Sequence, residues 1–346
     1  MLPNSKAASA AGGLAVSALG GALCAWLGTP LPWMIGSMFA MAIAQMAGAR
    51  LAPLPGGRDA GMVVVGLTLG LYFTAPVIQE VATYWPWFVA LGFAAHGFGT
   101  VSAWVLARLS GADRATAYFG SMPAGGSEMS QLGEDFGAAA DKVAFAHSVR
   151  IMLVVTLFPI GITVAGFSAA EVYRPILVPL QPAGLALLLA LGAAAGFAGR
   201  ALRLPTAFMM GPLLLAAVLT AQGVALSSMP ALLVNAAQVL LGCVMGSRFD
   251  RSFLAAAPRF AASLIPSVAV TLGLAVAVGW AIAASSGAYL GNALLAAAPG
   301  GIAEMSITAQ VLKIGVAFVT AAHVVRYMIV VLLTVPVYRL IERWRP

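Results

Sequence analysis

Ten apolar runs, each long enough to cross a bilayer as a helix, follow one another along the chain. A transmembrane helix needs about 20 mostly apolar residues to span the hydrocarbon core. Charged residues make up only 8% of the sequence, against about 25% in soluble domains, so they could not cover a water-facing globule. The runs therefore predict an all-α polytopic membrane protein with about ten transmembrane helices. They lie at 9–28, 30–48, 60–80, 86–108, 142–166, 182–200, 205–222, 230–250, 260–284 and 313–338.

One motif occurs twice in the chain, P-x-G-x-x-E-M-S followed by H-x-x-R. Its first copy begins at Pro123 and its second at Pro299, and every paired position differs by 176 residues. A match of this length at one offset indicates an internal repeat. We place the first membrane repeat at 1–168 and the second at 177–346.

The basic residues predict how the two repeats are oriented. If each motif enters and leaves the membrane on one side, each repeat crosses it five times, and nearly all Arg and Lys residues fall at cytoplasmic ends. The positive-inside rule favours that arrangement. Because five is odd, the second repeat is then inverted relative to the first. We therefore predict a multi-pass protein of the cell inner membrane with both termini in the cytoplasm.

Each motif predicts a broken, re-entrant helical hairpin, because proline and paired glycines interrupt helices. Non-helical backbone at membrane depth is costly unless protein, water or ligand satisfies its polar groups. The N–H groups freed at the start of the following helix can hold an anion, which makes the two breaks a candidate binding site. The predicted substrate-binding residues are Gly125, Gly126, Ser127, Glu128, His147, Arg150, Gly300, Gly301, Glu304, His323 and Arg326.

Each ionisable residue type in the motif has two interpretations. The glutamates fall in the first turn after the break, where a carboxylate can cap the amides or bind a proton or cation. The arginines can pair with the glutamate of their own half or hold an anionic substrate through two parallel hydrogen bonds. The histidines can make an interhelical hydrogen bond or titrate. His96 has Leu272 at the equivalent place and is interpreted as structural.

Composition argues against several other classes of function. The formal net charge is +7, but the basic residues are scattered singly between apolar runs, so no nucleic-acid partner is predicted. Cys24 and Cys243 both lie inside apolar runs and offer neither a disulfide framework nor a thiolate metal site. We predict no cofactor, no metal and no catalytic residue, and we expect that the protein is not an enzyme.

The doubled motif resembles the AbrB-type duplicated inner-membrane protein family of bacteria, over essentially the whole chain. Members carry the labels AbrB family transcriptional regulator and ammonia monooxygenase, and the resemblance implies the same duplicated membrane fold. The second copy departs from the first where Ile302 replaces Gly126. A DNA-binding regulator needs a basic reading surface or a soluble module, and the sequence has neither.

The leading hypothesis from the sequence is a secondary transporter whose broken helices form the substrate site. Its expected partners are a small anionic or zwitterionic solute, H⁺ or Na⁺ as coupling ion, and the lipid bilayer. A homo-oligomer is compatible with the sequence. A second hypothesis is a membrane sensor that binds a solute and affects gene expression indirectly. A third is a membrane metalloenzyme with a site that joins His147, His323 and the two glutamates.

Overall fold

The structure, a computed structural model, describes residues 3–167, 178–249, 251 and 257–343. Across these residues the chain forms fifteen α-helices and no strand, which confirms the predicted all-α polytopic class. The helices are α1 Pro3–Trp26, α2 Pro32–Met46, α3 Gly57–Gly70, α4 Ala75–Thr83, α5 Trp85–Ser110, α6 Arg114–Ser121, α7 Gly126–Glu134, α8 Ala140–Val164, α9 Pro182–Ala201, α10 Ala207–Ala221, α11 Ala231–Gly246, α12 Pro258–Ser286, α13 Leu290–Ala297, α14 Ile302–Leu312 and α15 Val316–Arg343.

Each predicted apolar run coincides with a helix or a helix pair, but the helices differ in length. In the described part of the chain six helices are long and apolar enough to cross a membrane, and a bent pair raises the number to seven. These six are α1, α5, α8, α9, α12 and α15. Helices α2, α10 and α11 contain 15, 15 and 16 residues, fewer than the about 20 of a full straight span.

The predicted span 60–80 is in fact two helices, α3 and α4, bent by 89°. Pro76 lies in the first turn of α4, where its missing N–H needs no intrahelical acceptor. Residues 71–74 between the two helices are not helical, and Pro76 has no N–H with which to continue the hydrogen bonds of α3 into α4. Hydropathy alone does not reveal the bend, because the run stays apolar throughout.

The helices group into two compact units, and each unit takes segments from both sequence repeats. The first unit contains α1–α4 and α9–α11, together with most of α14. The second unit contains α5–α8, α12, α13, the first residues of α14 and most of α15. The proposed division at 1–168 and 177–346 therefore describes the sequence repeat, whereas each compact unit is assembled from both halves.

Glycines mediate the close helix crossings in the first unit. A Cβ at Gly66 would collide with the carbonyl oxygen of Met209, so α3 lies directly on α10. A Cβ at Gly242 would lie 2.6 Å from the carbonyl oxygen of Met34, so α11 lies equally close to α2. Small residues allow backbones in membranes to approach in this way. Gly70 and Gly246, each four residues further along the same helix, meet α10 and α2 in the same way.

Replacing Gly242 with alanine is expected to destabilise the first unit by about 1–3 kcal/mol, because the new methyl group meets backbone that cannot move aside. The measurement is the thermal melting of the purified protein in detergent. Gly273→Ala is the matched control, since a Cβ at that helical glycine meets nothing within 4 Å. Equal melting of the two variants would show that the α2–α11 contact is looser than described here.

The second unit is organised by the crossing of α5 and α12. The hydroxyls of Ser102 and Ser267 are 2.7 Å apart, and each hydroxyl also approaches the other residue's carbonyl oxygen, at 2.9 and 3.0 Å. Beside this crossing, a cluster of rings joins α6, α15 and the segment after α7, with centroids 5.1–5.5 Å apart. The rings belong to Tyr118, Phe119, Phe136 and Tyr338.

Candidate functional site

Both motif copies interrupt a helix in the second unit. Helix α6 ends at Ser121 and α7 begins at Gly126, and the caps between them have extended backbone. In the second copy α13 ends at Ala297 and α14 begins at Ile302. The last carbonyls of a half-helix have no intrahelical partner, and an apolar surrounding offers none. Something else must therefore satisfy these carbonyls.

Arg150 supplies hydrogen bonds to the first break. Its Nη1 donates to the carbonyl oxygen of Met122 at 2.6 Å, and its Nη2 donates to that of Ala124 at 3.2 Å. The guanidinium is buried, and a cation at a helix C-terminus is favoured by the helix dipole. Of the two interpretations of the arginine, pairing with the glutamate of its own half is not seen here: the described part of the chain holds no ion pair between Arg150 and Glu128.

Arg326 makes the same contacts in the second break. It donates to the carbonyl oxygens of Ala298 and Gly300, which lie 176 residues after those of Met122 and Ala124. Arg326 is 1% exposed and is one of the largest fully buried side chains in the described part of the chain. The two copies of the motif thus share a hydrogen-bond pattern as well as a sequence pattern. In each copy the arginine closes the C-terminal end of the half-helix before the break.

Each guanidinium retains one buried donor that no described group accepts. Nε of Arg150 and Nε of Arg326 are both inaccessible and have no hydrogen-bond partner among the described residues. A buried donor without an acceptor costs about 1–3 kcal/mol. Such groups are the ones that an anionic ligand would satisfy.

The two histidines are placed alike but bonded differently. The Nε2 of His147 donates to the carbonyl oxygen of Phe119 at 2.9 Å, and its Nδ1 accepts from Arg150 at 3.0 Å. Because arginine can only donate, His147 must be neutral with its hydrogen on Nε2. His323 instead directs Nδ1 to the carbonyl oxygen of Val319 in its own helix, at 3.0 Å.

The residue at the start of the helix after the break also differs between the two copies, glycine in the first and isoleucine in the second. A Cβ at Gly126 would lie 3.0 Å from the Cβ of His147, so only glycine lets α7 approach that histidine so closely. In the second copy the buried side chain of Ile302 stands at the equivalent position. The first break is also the more accessible, because Ser127 is exposed and Gly125 and Gly126 are half-buried.

Both glutamates fold back over the glycine that precedes their helix. A Cβ at Gly125 would collide with the carboxylate of Glu128, and a Cβ at Gly301 would collide with that of Glu304. Each glutamate is the third residue of its helix, the position from which a carboxylate reaches the first-turn amides. Glu304 is buried, whereas Glu128 is half-buried. The glycine at each break thus leaves room for the carboxylate in this position.

The ionic groups of the two copies share one electrostatic environment in the second unit. The Arg150 guanidinium lies within electrostatic range of the carboxylate of Glu304, which belongs to the other copy of the motif. The two arginines repel each other. Two of the three buried ionic side chains here are cations, and the fourth ionic group, Glu128, is half-buried. An anion bound here would reduce the repulsion.

Two structural features of this region could not be predicted from the motif residues. The acceptors of the arginines are backbone carbonyls, which every residue possesses. His96 also lies in the second unit, with Nε2 3.2 Å from the hydroxyl of Tyr118, which in turn donates to the carbonyl oxygen of Thr334 at 3.0 Å. No histidine stands at the equivalent position of the second half, so the internal repeat does not single out His96 as a functional residue. No group of three or more metal-binding side chains occurs in the described ranges.

Comparison with known proteins gives matches along most of the chain. A family model described as "Transition state regulatory protein AbrB" matches residues 33–342, which include both copies of the motif. "Putative regulator AbrB" of Escherichia coli (strain K12) is 25% identical over 289 residues, or 83% of each chain. "Uncharacterized protein YhjN" of Bacillus subtilis (strain 168) is 28% identical over 303 residues, or 82% of this chain and 78% of the relative.

Proposed function

The chain belongs to the AbrB family, and from this premise we propose that it is a secondary transporter of a small anionic or zwitterionic solute. The proposal places the protein in the cell inner membrane with both termini in the cytoplasm. The solute would bind between the two Pro/Gly breaks and would be exposed to each side in turn. H⁺ or Na⁺ would couple its movement.

The observation that carries the proposal is the pair of buried guanidinium groups beside two helix breaks. Each arginine is held by the carbonyls of its own break, so its position is fixed before any ligand arrives. Each also keeps a buried Nε–H without an acceptor. A carboxylate accepts well from a preorganised guanidinium, and the N-termini of α7 and α14 add partial positive charge. This chemistry favours an anion over a neutral solute.

Glu304 is the residue that we propose for ion coupling. It is buried, and it lies within electrostatic range of Arg150 from the other copy of the motif. An ionisable residue inside a membrane segment typically serves an ion pathway or a substrate site. When an anionic solute approaches the arginines, its charge opposes that of Glu304, and uptake of a proton or cation there would relieve the repulsion. Solute binding and ion binding would then favour each other.

The proposal is tested with purified protein reconstituted into liposomes. A thermal-shift screen of anionic, zwitterionic and neutral metabolites first identifies a solute, because a ligand selective for the folded form raises the melting temperature. Counterflow of that labelled solute is then measured in protein-containing and empty liposomes. We expect counterflow for an anionic or zwitterionic solute and a dependence on a proton or sodium gradient. A solute that binds tightly but never crosses would contradict transport and indicate a sensor.

A further inference from the structure

The second unit also holds a cavity along the C-terminal half of α5. It has a volume of about 600 Å³, within the range of roughly 300–1,000 Å³ that is typical of ligand pockets. Its walls come from the last turns of α5, the start of α6 and the end of α15. None of the motif residues lines it. The lining residues are Thr100, Ala103, Trp104, Ala107, Arg108, Ala112, Arg114, Ala117, Tyr118, Tyr338 and Ile341.

The lining is apolar apart from two arginines. Alanines and aromatic rings form most of the wall, and Arg108 and Arg114 are its charged residues. Thr100 donates its hydroxyl to the carbonyl oxygen of His96, and the Tyr118 hydroxyl donates to that of Thr334, so neither hydroxyl donor is available to a ligand. A ligand matched to this cavity is therefore an amphiphile with an apolar body and an anionic head.

The guanidinium groups of both arginines remain available to an anionic head group. The guanidinium of Arg108 lies over the ring of Trp104, 4.5 Å from its centroid, and Arg114 is exposed. The neighbouring carboxylate of Asp113 accepts from the backbone N–H of Thr116 at 2.7 Å as the cap of α6. Glu342 is exposed beside Ile341 and is the other acidic residue close in sequence to the lining.

The outer face of α5 at this level is apolar and exposed. Val101, Trp104 and Leu109 are 45%, 58% and 43% exposed. In a membrane protein such a face contacts lipid, and Trp is enriched where hydrocarbon meets the headgroups. Trp104 belongs both to this face and to the cavity, so we expect the cavity to open towards lipid at the end of α5 that carries its basic residue.

We propose that this cavity binds an anionic phospholipid. Its acyl chain would lie against the alanine and aromatic wall, and its phosphate would contact Arg108 and Arg114. Basic pockets between transmembrane helices at the cytoplasmic side recognise anionic headgroups, and this is the side to which the sequence assigns these arginines. A soluble phosphate would gain nothing from the apolar wall. A zwitterionic lipid would bring a cationic group towards the same arginines.

The test uses the delipidated full-length protein in a neutral detergent. Its melting is titrated with phosphatidylglycerol, phosphatidylcholine and inorganic phosphate. We expect phosphatidylglycerol to stabilise the protein at much lower concentration than phosphatidylcholine, and phosphate to have no effect. The double substitution Arg108→Gln and Arg114→Gln should weaken the apparent affinity for phosphatidylglycerol about thirty-fold, on the basis of one lost basic contact for each arginine.

Two further variants separate a built pocket from general surface charge. Ala107→Phe fills the cavity without changing charge and should also weaken phosphatidylglycerol binding. Arg200→Gln removes an exposed arginine from the last turn of α9 and should leave binding unchanged. Melting of each variant without lipid checks its fold. The proposal is overturned if phosphatidylcholine or phosphate stabilises equally, or if Ala107→Phe binds phosphatidylglycerol as the unsubstituted protein does.

Discussion

Arg326→Met is expected to lower the free energy of unfolding by about 4 kcal/mol, because it leaves the carbonyls of Ala298 and Gly300 buried without a donor. Each unpaired buried carbonyl costs about 1–3 kcal/mol, and methionine fills the volume but donates no hydrogen bond. In a chain of this size the loss corresponds to a fall in melting temperature of roughly five to six degrees. The measurement is thermal unfolding of the purified protein in detergent.

Two other substitutions isolate the cause of this loss. Arg339→Met removes an exposed arginine from the same helix and should change the melting temperature little. Arg326→Lys keeps the charge but cannot span two carbonyls as the guanidinium does, so an intermediate loss is expected. Because Arg150 and Arg326 repel each other, replacing both should cost less than the sum of the single changes. Unchanged melting of Arg326→Met would refute a supporting role for the arginine.

Glu304→Gln is expected to reduce solute flux in liposomes by about 10- to 100-fold while the protein stays folded. Glutamine keeps the shape of the side chain that lies over Gly301, so the break is preserved. It removes the charge within electrostatic range of Arg150, and interactions with a charged group are worth about 1.5–3 kcal/mol. Flux should also lose its dependence on the proton or sodium gradient. The measurement is counterflow together with melting of the same preparation.

Substitutions of two other glutamates serve as controls: Glu128, the equivalent residue in the first copy of the motif, and Glu342, which is exposed. Glu128→Gln should have the smaller effect, because Glu128 is half-buried at the more accessible break. Glu342→Gln, in the exposed last turn of α15, should transport normally. If Glu304→Gln transports at the normal rate with intact coupling, the ion site lies elsewhere in the protein. If all three variants lose flux equally, the effect is not specific to the buried carboxylate.

The parts of the fold that follow from local chemistry could be predicted from the sequence. Apolar runs identify the helices, because few charged residues interrupt them, and Pro123 and Pro299 with their glycines locate the breaks. The bend between α3 and α4 escapes such reasoning, since its apolar character is continuous. The compact units escape it too, because helix contacts join segments far apart in the chain.

For the site, the sequence identifies the residues better than their partners. Repetition at one offset singles out Arg150 and Arg326, and the structure gives both the same kind of acceptor. Those acceptors are carbonyls, which a sequence cannot distinguish from any others. His147 and His323 also have different hydrogen-bond acceptors, although both belong to the same H-x-x-R pattern. The roles of these residues in binding stay predictions.

The helix contacts of the first unit have a consequence for synthesis of the protein. Helix α3 packs on α10, and α2 packs on α11, yet α10 and α11 leave the ribosome after roughly ten to thirty further seconds of translation. During that interval the grooves at Gly66 and along α2 have no partner within the nascent chain. In a newly inserted first half those grooves are therefore expected to face lipid until the second half arrives. Ribosomes that stall between the halves should yield a product that membrane proteases remove.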